Sequence, residues 1–221
     1  MSTRQKLAQV AKTEARKFYH GRVMKTEHNI HDIIASFPKF DIEEADGMWC
    51  AAFVYYCCIK AGFVLPIRPN ECRSSNLAGC FAWEEWAIED KRIAYYSAAE
   101  TDFFPEAGDI VLFDNVFCER EHDHIGIVVE NKVTSIMVAE GNIHNVSGII
   151  ERKKNAHIRA YIVSTAQATK QRKSTSIRGA LVRATGLKTD FNGKTRQKPY
   201  SQKWTKRRRS LRNRFMVKNA T

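Results

Sequence analysis

Three observations predict an α+β fold. Amphipathic or continuously apolar runs occupy the chain as far as Ile88. Short runs rich in β-branched residues follow, from Asp109 to Val163. From Ser164 onward the composition turns basic and poor in apolar residues. Helical patterning first and strand patterning after is the signature of helices packed on an antiparallel sheet.

The elements follow in order. Leu7, Val10, Ala11, Glu14, Ala15 and Phe18 give a partial helical stripe over 5–19. Ile30, Ile33 and Ile34 recur at helical spacing between Asn29 and Phe37, and Pro38 closes that segment. Met48 to Ala61 is nearly all apolar and reads as a buried helix stopped by Gly62. Leu77 to Ile88, with Trp83 and Trp86, is a fourth helix whose indoles are expected in the core. Five strands are expected: 109–114, 124–130, 135–139, 148–150 and 158–163, separated in part by Asn131-Lys132 and by Gly141 to Ser147.

Charge divides the chain. Residues 1–163 hold 19 Lys and Arg against 23 acids, a net −4. Residues 164–221 hold 17 against Asp190 alone, a net +16. The expected organisation is a helical segment over 1–45 that belongs to the catalytic domain, a catalytic core over 46–163, and a disordered basic tail over 164–221. At 43% hydrophobic the chain has enough apolar residues for one sizeable core. No apolar run reaches 18 residues, so a membrane-spanning helix is not expected. Met1 to Lys17 is charged throughout, which predicts synthesis in the cytoplasm, with any action on a cell wall requiring release or a separate export route.

The six cysteines, Cys50, Cys57, Cys58, Cys72, Cys80 and Cys118, have irregular spacing and contain no CxxC pair, so no disulfide framework is expected. Cys57 and Cys58 lie in the apolar helix and read as small buried hydrophobes. Cys50 differs, because it falls on the first turn of that helix. Unsatisfied N–H groups and the positive end of the helix dipole favour its thiolate there.

A thiolate needs a base, and His124 opens an apolar strand from which its ring can reach a cleft. His122, two residues earlier, is expected in the exposed loop. The next strand ends in Glu140-Gly141-Asn142. If the two strands form a hairpin, His124 lies beside Glu140 and Asn142, since cross-strand neighbours are about 5 Å apart. Hydrolysis of an amide by cysteine requires a nucleophile, an imidazole that moves the proton, and a polar group that orients the imidazole. Cys50, His124 and Glu140 suit these roles, with Asn142 as a further or alternative orienter and the Cys50 backbone N–H as oxyanion donor. Cys118, His122, Asp123 and His124 lack the second ligand pair of a zinc site, and no metal is expected. Asp109, after Gly108, reads as a turn-closing residue.

Trp49-Cys-Ala-Ala-Phe-Val54, Pro105-Glu-Ala-Gly-Asp-Ile-Val-Leu-Phe113, His124-Ile-Gly-Ile-Val128 and Glu140-Gly-Asn142 occur in an order that resembles the CHAP family, a branch of the papain-like NlpC/P60 superfamily. The resemblance spans about Leu7 to Val163. It implies a peptidoglycan amidase or endopeptidase of bacterial or phage type, with Cys50 as nucleophile, His124 as base, and Glu140 with Asn142 completing the site. Trp49 stands where many phage members carry Gln. The acidic stretch Asp41 to Gly47 does not keep the Asp-x-Asp-Gly spacing of calcium-binding members.

The expected function is therefore cleavage of an amide bond in peptidoglycan by a monomer without cofactors. The basic tail would add adhesion to a polyanion: a wall polymer, anionic lipid or nucleic acid. Two alternatives stand beside it. One is an intracellular amidase, protease or deamidase acting on another substrate. The other is a polyanion- or nucleic-acid-binding protein acting through its tail.

Overall fold

A computed structural model describes residues 1–23, 25, 27–38, 42, 48–69, 76–90, 93–100 and 103–164. Most of the acidic 41–47 stretch, Cys72 and the basic tail lie outside the described residues. Among the described residues, four helices, α1 (Thr3–Ala15), α2 (His31–Ile34), α3 (Cys50–Ala61) and α4 (Cys80–Glu89), precede six strands. The strands are β1 (Ile93–Ser97), β2 (Ile110–Phe113), β3 (His124–Asn131), β4 (Ser135–Ile143), β5 (Val146–Lys153) and β6 (Ile158–Ser164). They form one antiparallel sheet in the order β1-β6-β2-β3-β4-β5. The class is α+β.

Helix α3 is the centre of the helical layer. Ten of its residues are buried: Cys50 to Cys58 without a break, and Ala61. A helix apolar all round has to be enclosed. α1, α2, β3 and β4 all pack against it. Gly62 ends it in a left-handed conformation (φ 95°), and the Phe63 N–H returns to the Cys58 carbonyl at 3.0 Å.

Two glycines let helices pack close to the sheet. A Cβ on Gly141, in β4, would lie 2.5 Å from Phe53 Cβ and 2.8 Å from Trp49 Cζ3. Trp49, the residue that departs from the family pattern, is fully buried and donates its indole N–H to the Gly21 carbonyl at 3.0 Å. It anchors the start of α3 against bare β4 backbone. The Gly108–Asp109 turn receives α1 in a similar way. Gly108 (φ 98°) leaves room for the Arg4 carbonyl, and the Arg4 guanidinium pairs with buried Asp109, whose carboxylate also accepts the Glu106 N–H at 2.8 Å. Asp109 does close the turn, and it also docks a helix.

The sheet is buried on both faces. Ile110, Leu112, Ile125, Ile127, Ala139 and Ile162 join the core beneath the helices. Val111, Phe113, Val128, Ile136, Val138 and Tyr161 form a smaller cluster with Phe103 and Val116. Successive residues of β2 divide between the two clusters, as the period of a strand requires.

Three expectations change. β1 was not legible, because Ile93-Ala-Tyr-Tyr-Ser97 is too short and mixed to stand out. The Asn29–Phe37 segment keeps only one α-helical turn, His31–Ile34. The Gly141–Ser147 separator is not a loop. β4 runs on to Ile143, which pairs with Val146 across His144-Asn145, both at positive φ (52° and 69°). Paired left-handed residues fit the twist of a two-residue hairpin, and Asn tolerates that conformation better than most residues.

Replacing Gly141 with Ala should lower stability by about 1–3 kcal/mol, the usual cost of overpacking a filled core. Equilibrium unfolding in urea, read as a shift of the midpoint, measures it.

Candidate active site

Cys50 is the first residue of α3 and His124 the first residue of β3. The fold brings them together at one end of the sheet. His124 Nε2 bonds Glu140 Oε2 at 2.8 Å, and both side chains are essentially inaccessible. With Nε2 committed to Glu140, Nδ1 is the ring nitrogen left to interact with Cys50, whose thiol and the imidazole shift one another's titration. The imidazole thus interacts with both the thiol and the carboxylate.

Glu140 is held in turn by Arg152. Arg152 Nε bonds Oε1 at 2.8 Å and a terminal nitrogen bonds Oε2 at 2.6 Å, a two-pronged pairing of guanidinium and carboxylate. The Arg152 guanidinium lies over the rings of Phe113 and Phe117 at 5.6 and 5.4 Å. The same rings enclose the imidazole, Phe113 stacked at 6.2 Å and Phe117 edge-on at 4.8 Å. Gly126 makes room for the carboxylate, since a Cβ there would lie 2.8 Å from Glu140 Cγ. Phe117 is placed by Asp123, whose Oδ2 accepts the N–H groups of Val116, Phe117 and Cys118 at 2.9, 2.7 and 3.2 Å.

Cys50 has a neighbour that its spacing did not reveal. Its Sγ lies 3.6 Å from Sγ of Cys80, the first residue of α4. α4 is fixed at the sheet by Glu84, which accepts from Tyr95 at 2.6 Å, from Arg159 at 2.7 Å, and from the His122 ring at 2.5 Å. His122 is thus not in an exposed loop. Its side chain is about nine-tenths buried against Glu84. The two histidines are committed to separate carboxylates, which leaves no shared zinc geometry between them. Trp83 and Trp86 are both buried in the core.

The electrostatics follow from these contacts. The hydrogen bond from Cys80 holds the Cys50 thiol well below the usual cysteine range. His124 and the Ala51 backbone N–H act the same way and together outweigh burial. Burial alone would lower His124, but the adjacent Glu140 carboxylate and Cys50 push it up to about 9. Burial would raise Glu140, yet the bonds from Arg152 and the charge on His124 keep it below the ordinary carboxylate value. Cys80 is pushed well up by its bond to Cys50 and by burial, so it stays a thiol. These shifts favour a thiolate and an imidazolium side by side.

Asn142 is brought to the same end of the sheet, at positive φ (61°), but its amide donates to Met48 Sδ at 3.4 Å while Glu140 takes the imidazole. Arg152 and Cys80 escaped the sequence reading. An arginine in a β-strand and a cysteine before an apolar helix carry no motif, and only the register Glu140↔Gly148 of the β4–β5 hairpin brings Arg152 within reach.

The family model for the CHAP domain matches residues 43–142. The chain carries a CHAP domain. The match takes in Cys50, His124, Glu140 and Asn142 and stops short of Arg152. No curated protein and no solved structure matches the chain. A CHAP domain implies a hydrolase of the amidase or peptidase class.

The raised His124 gives this CHAP domain a pH signature. Its folded value, about 9, exceeds the ordinary 6.5, so its own contribution to stability is complete below pH 6.5 and is lost as pH rises through 9. The lowered Cys50 thiol acts with the opposite sign over that window and offsets the loss in the wild type. Urea midpoints should therefore fall between pH 6.5 and 9 in Cys50→Ser, where the thiol no longer titrates, and adding His124→Gln should flatten that slope.

Proposed function

We propose that this protein is a papain-like cysteine hydrolase of the NlpC/P60 kind that cleaves an amide bond in bacterial peptidoglycan, as an amidase or endopeptidase. The observation that carries the proposal is the buried set Cys50, His124 and Glu140, with Nε2 of the histidine 2.8 Å from the carboxylate.

Cys50 sulfur attacks the carbonyl carbon of the scissile amide. The carbonyl oxygen becomes an oxyanion, and the Cys50 N–H, free of the helix's own bonding at the first position, donates to it. As the C–N bond breaks, His124 gives its Nδ1 proton to the leaving amine, leaving a thioester on Cys50. A water then loses its proton to His124 and attacks the thioester, which releases the acid and restores thiolate and imidazolium. Glu140 keeps the ring oriented throughout and favours its charged form between proton transfers, and Arg152 keeps Glu140 ionised and in place. Asn142 borders the site and is assigned a supporting role beside Glu140.

The +16 tail supports a second part of the proposal, adhesion of residues 164–221 to anionic wall polymer. Such adhesion would weaken with salt and be absent from a chain ending at Ser164.

Purified full-length protein incubated with cell-wall sacculi should release free amines, and Cys50→Ala should lower the rate roughly 10³-fold or more. Sacculi left intact while γ-glutamyl or polyamine amides are cleaved would move the substrate away from the wall. Equal release by Cys50→Ala would overturn the mechanism.

A further inference from the structure

Hydrolysis by one cysteine has no use for a second thiol, yet the site contains one. Cys50 and Cys80 are the first residues of α3 and α4, so two helix N-termini converge on the two sulfurs. Their Sγ atoms are 3.6 Å apart, and both residues are buried. Cys57, the next cysteine along α3, is about 10 Å further up the helix axis. Cys118 is exposed, on the loop that Asp123 organises. Among the described cysteines, Cys80 is thus placed as the local partner of Cys50.

We propose that Cys80 is a resolving cysteine: a hydroperoxide oxidises Cys50 to the sulfenic acid, and Cys80 then closes a reversible Cys50–Cys80 disulfide that shuts the site. The inference rests on Cys50 being the reactive thiolate of the proposed hydrolase.

The chemistry balances in two steps. The Cys50 thiolate attacks the terminal oxygen of the hydroperoxide. The O–O bond breaks, an S–O bond forms, and the departing alkoxide (hydroxide, for hydrogen peroxide) takes the proton held by His124. Cys80 sulfur then attacks Cys50 sulfur. The S–S bond forms, the S–O bond breaks, and hydroxide leaves as water with the Cys80 proton. The two thiols together give up two electrons, and the peroxide bond takes them. The first step prepares the second. The hydrogen bond to Cys50 is the leading cause that keeps Cys80 protonated, with burial and the Cys50 charge adding to it, and a sulfenic acid carries no such charge. Closing the pair also protects Cys50 from irreversible oxidation to the sulfinic acid.

The test uses reduced full-length protein and hydrogen peroxide, the smallest hydroperoxide and so the one best able to enter a buried site. Digestion without reductant followed by mass spectrometry should show the peptides of Cys50 and Cys80 joined, lighter together by two hydrogens. Thiol labelling of Cys50 should vanish and return fully with dithiothreitol. In Cys80→Ser the same dose should carry Cys50 to the sulfinic acid, with labelling lost for good. Wild-type Cys50 passing to the sulfinic acid without a cross-link, or cross-linking to another cysteine, would overturn the proposal. None of these readouts needs hydrolysis, so a failure on sacculi and a failure here are distinguishable.

Discussion

The buried carboxylate of Glu140 is the constraint on which the site depends. A lone ionised carboxylate at zero exposure is untenable in a protein interior, where it would take up a proton or force the chain apart. Here it is held by two bonds from Arg152 and one to His124. Each partner then acquires a role. Arg152 makes the negative charge permanent, that charge keeps a buried imidazole protonated, and the imidazolium helps to hold Cys50 as thiolate. Charge passes along four side chains, and the reactive atom is at the end furthest from Arg152.

The same four residues come from four different elements of the chain, and backbone packing decides that they meet. Cys50 rides on a helix enclosed on every side, so its position is that of the core itself. Gly141 and Gly126 give up their side chains so that α3 can reach β4 and Glu140 can lie over β3. Trp49 fills the space at the head of α3 that bare β4 backbone leaves open. The cost of filling either glycine would fall on the geometry of the site as much as on the core.

Much of this was legible because it is written in period and order. The unbroken apolar run into α3, the stop at Gly62, and the strands opening at Ile110 and His124 each reflect a local rule that tertiary structure did not override. Cys50, His124 and Glu140 were legible because amide chemistry demands those types and a hairpin brings the last two together. Arg152 was not, since it meets Glu140 only after the β4–β5 register is set by a turn at His144-Asn145 that looked like loop. Cys80 was not, since nothing in sequence says that two helix starts will face one another. His122 was misread for the same reason: its partner, Glu84, lies on a different element.

The central claim is that Glu140, acting through His124, adds to the Cys80 hydrogen bond in holding Cys50 as a thiolate. The ultraviolet absorbance of the thiolate, followed with pH as wild type minus Cys50→Ser, measures it directly. The account predicts a titration well below the ordinary cysteine range in the wild type and a clear upward move in Glu140→Gln. A Cys50 that titrates like a free cysteine, or one indifferent to the loss of the Glu140 charge, would contradict it.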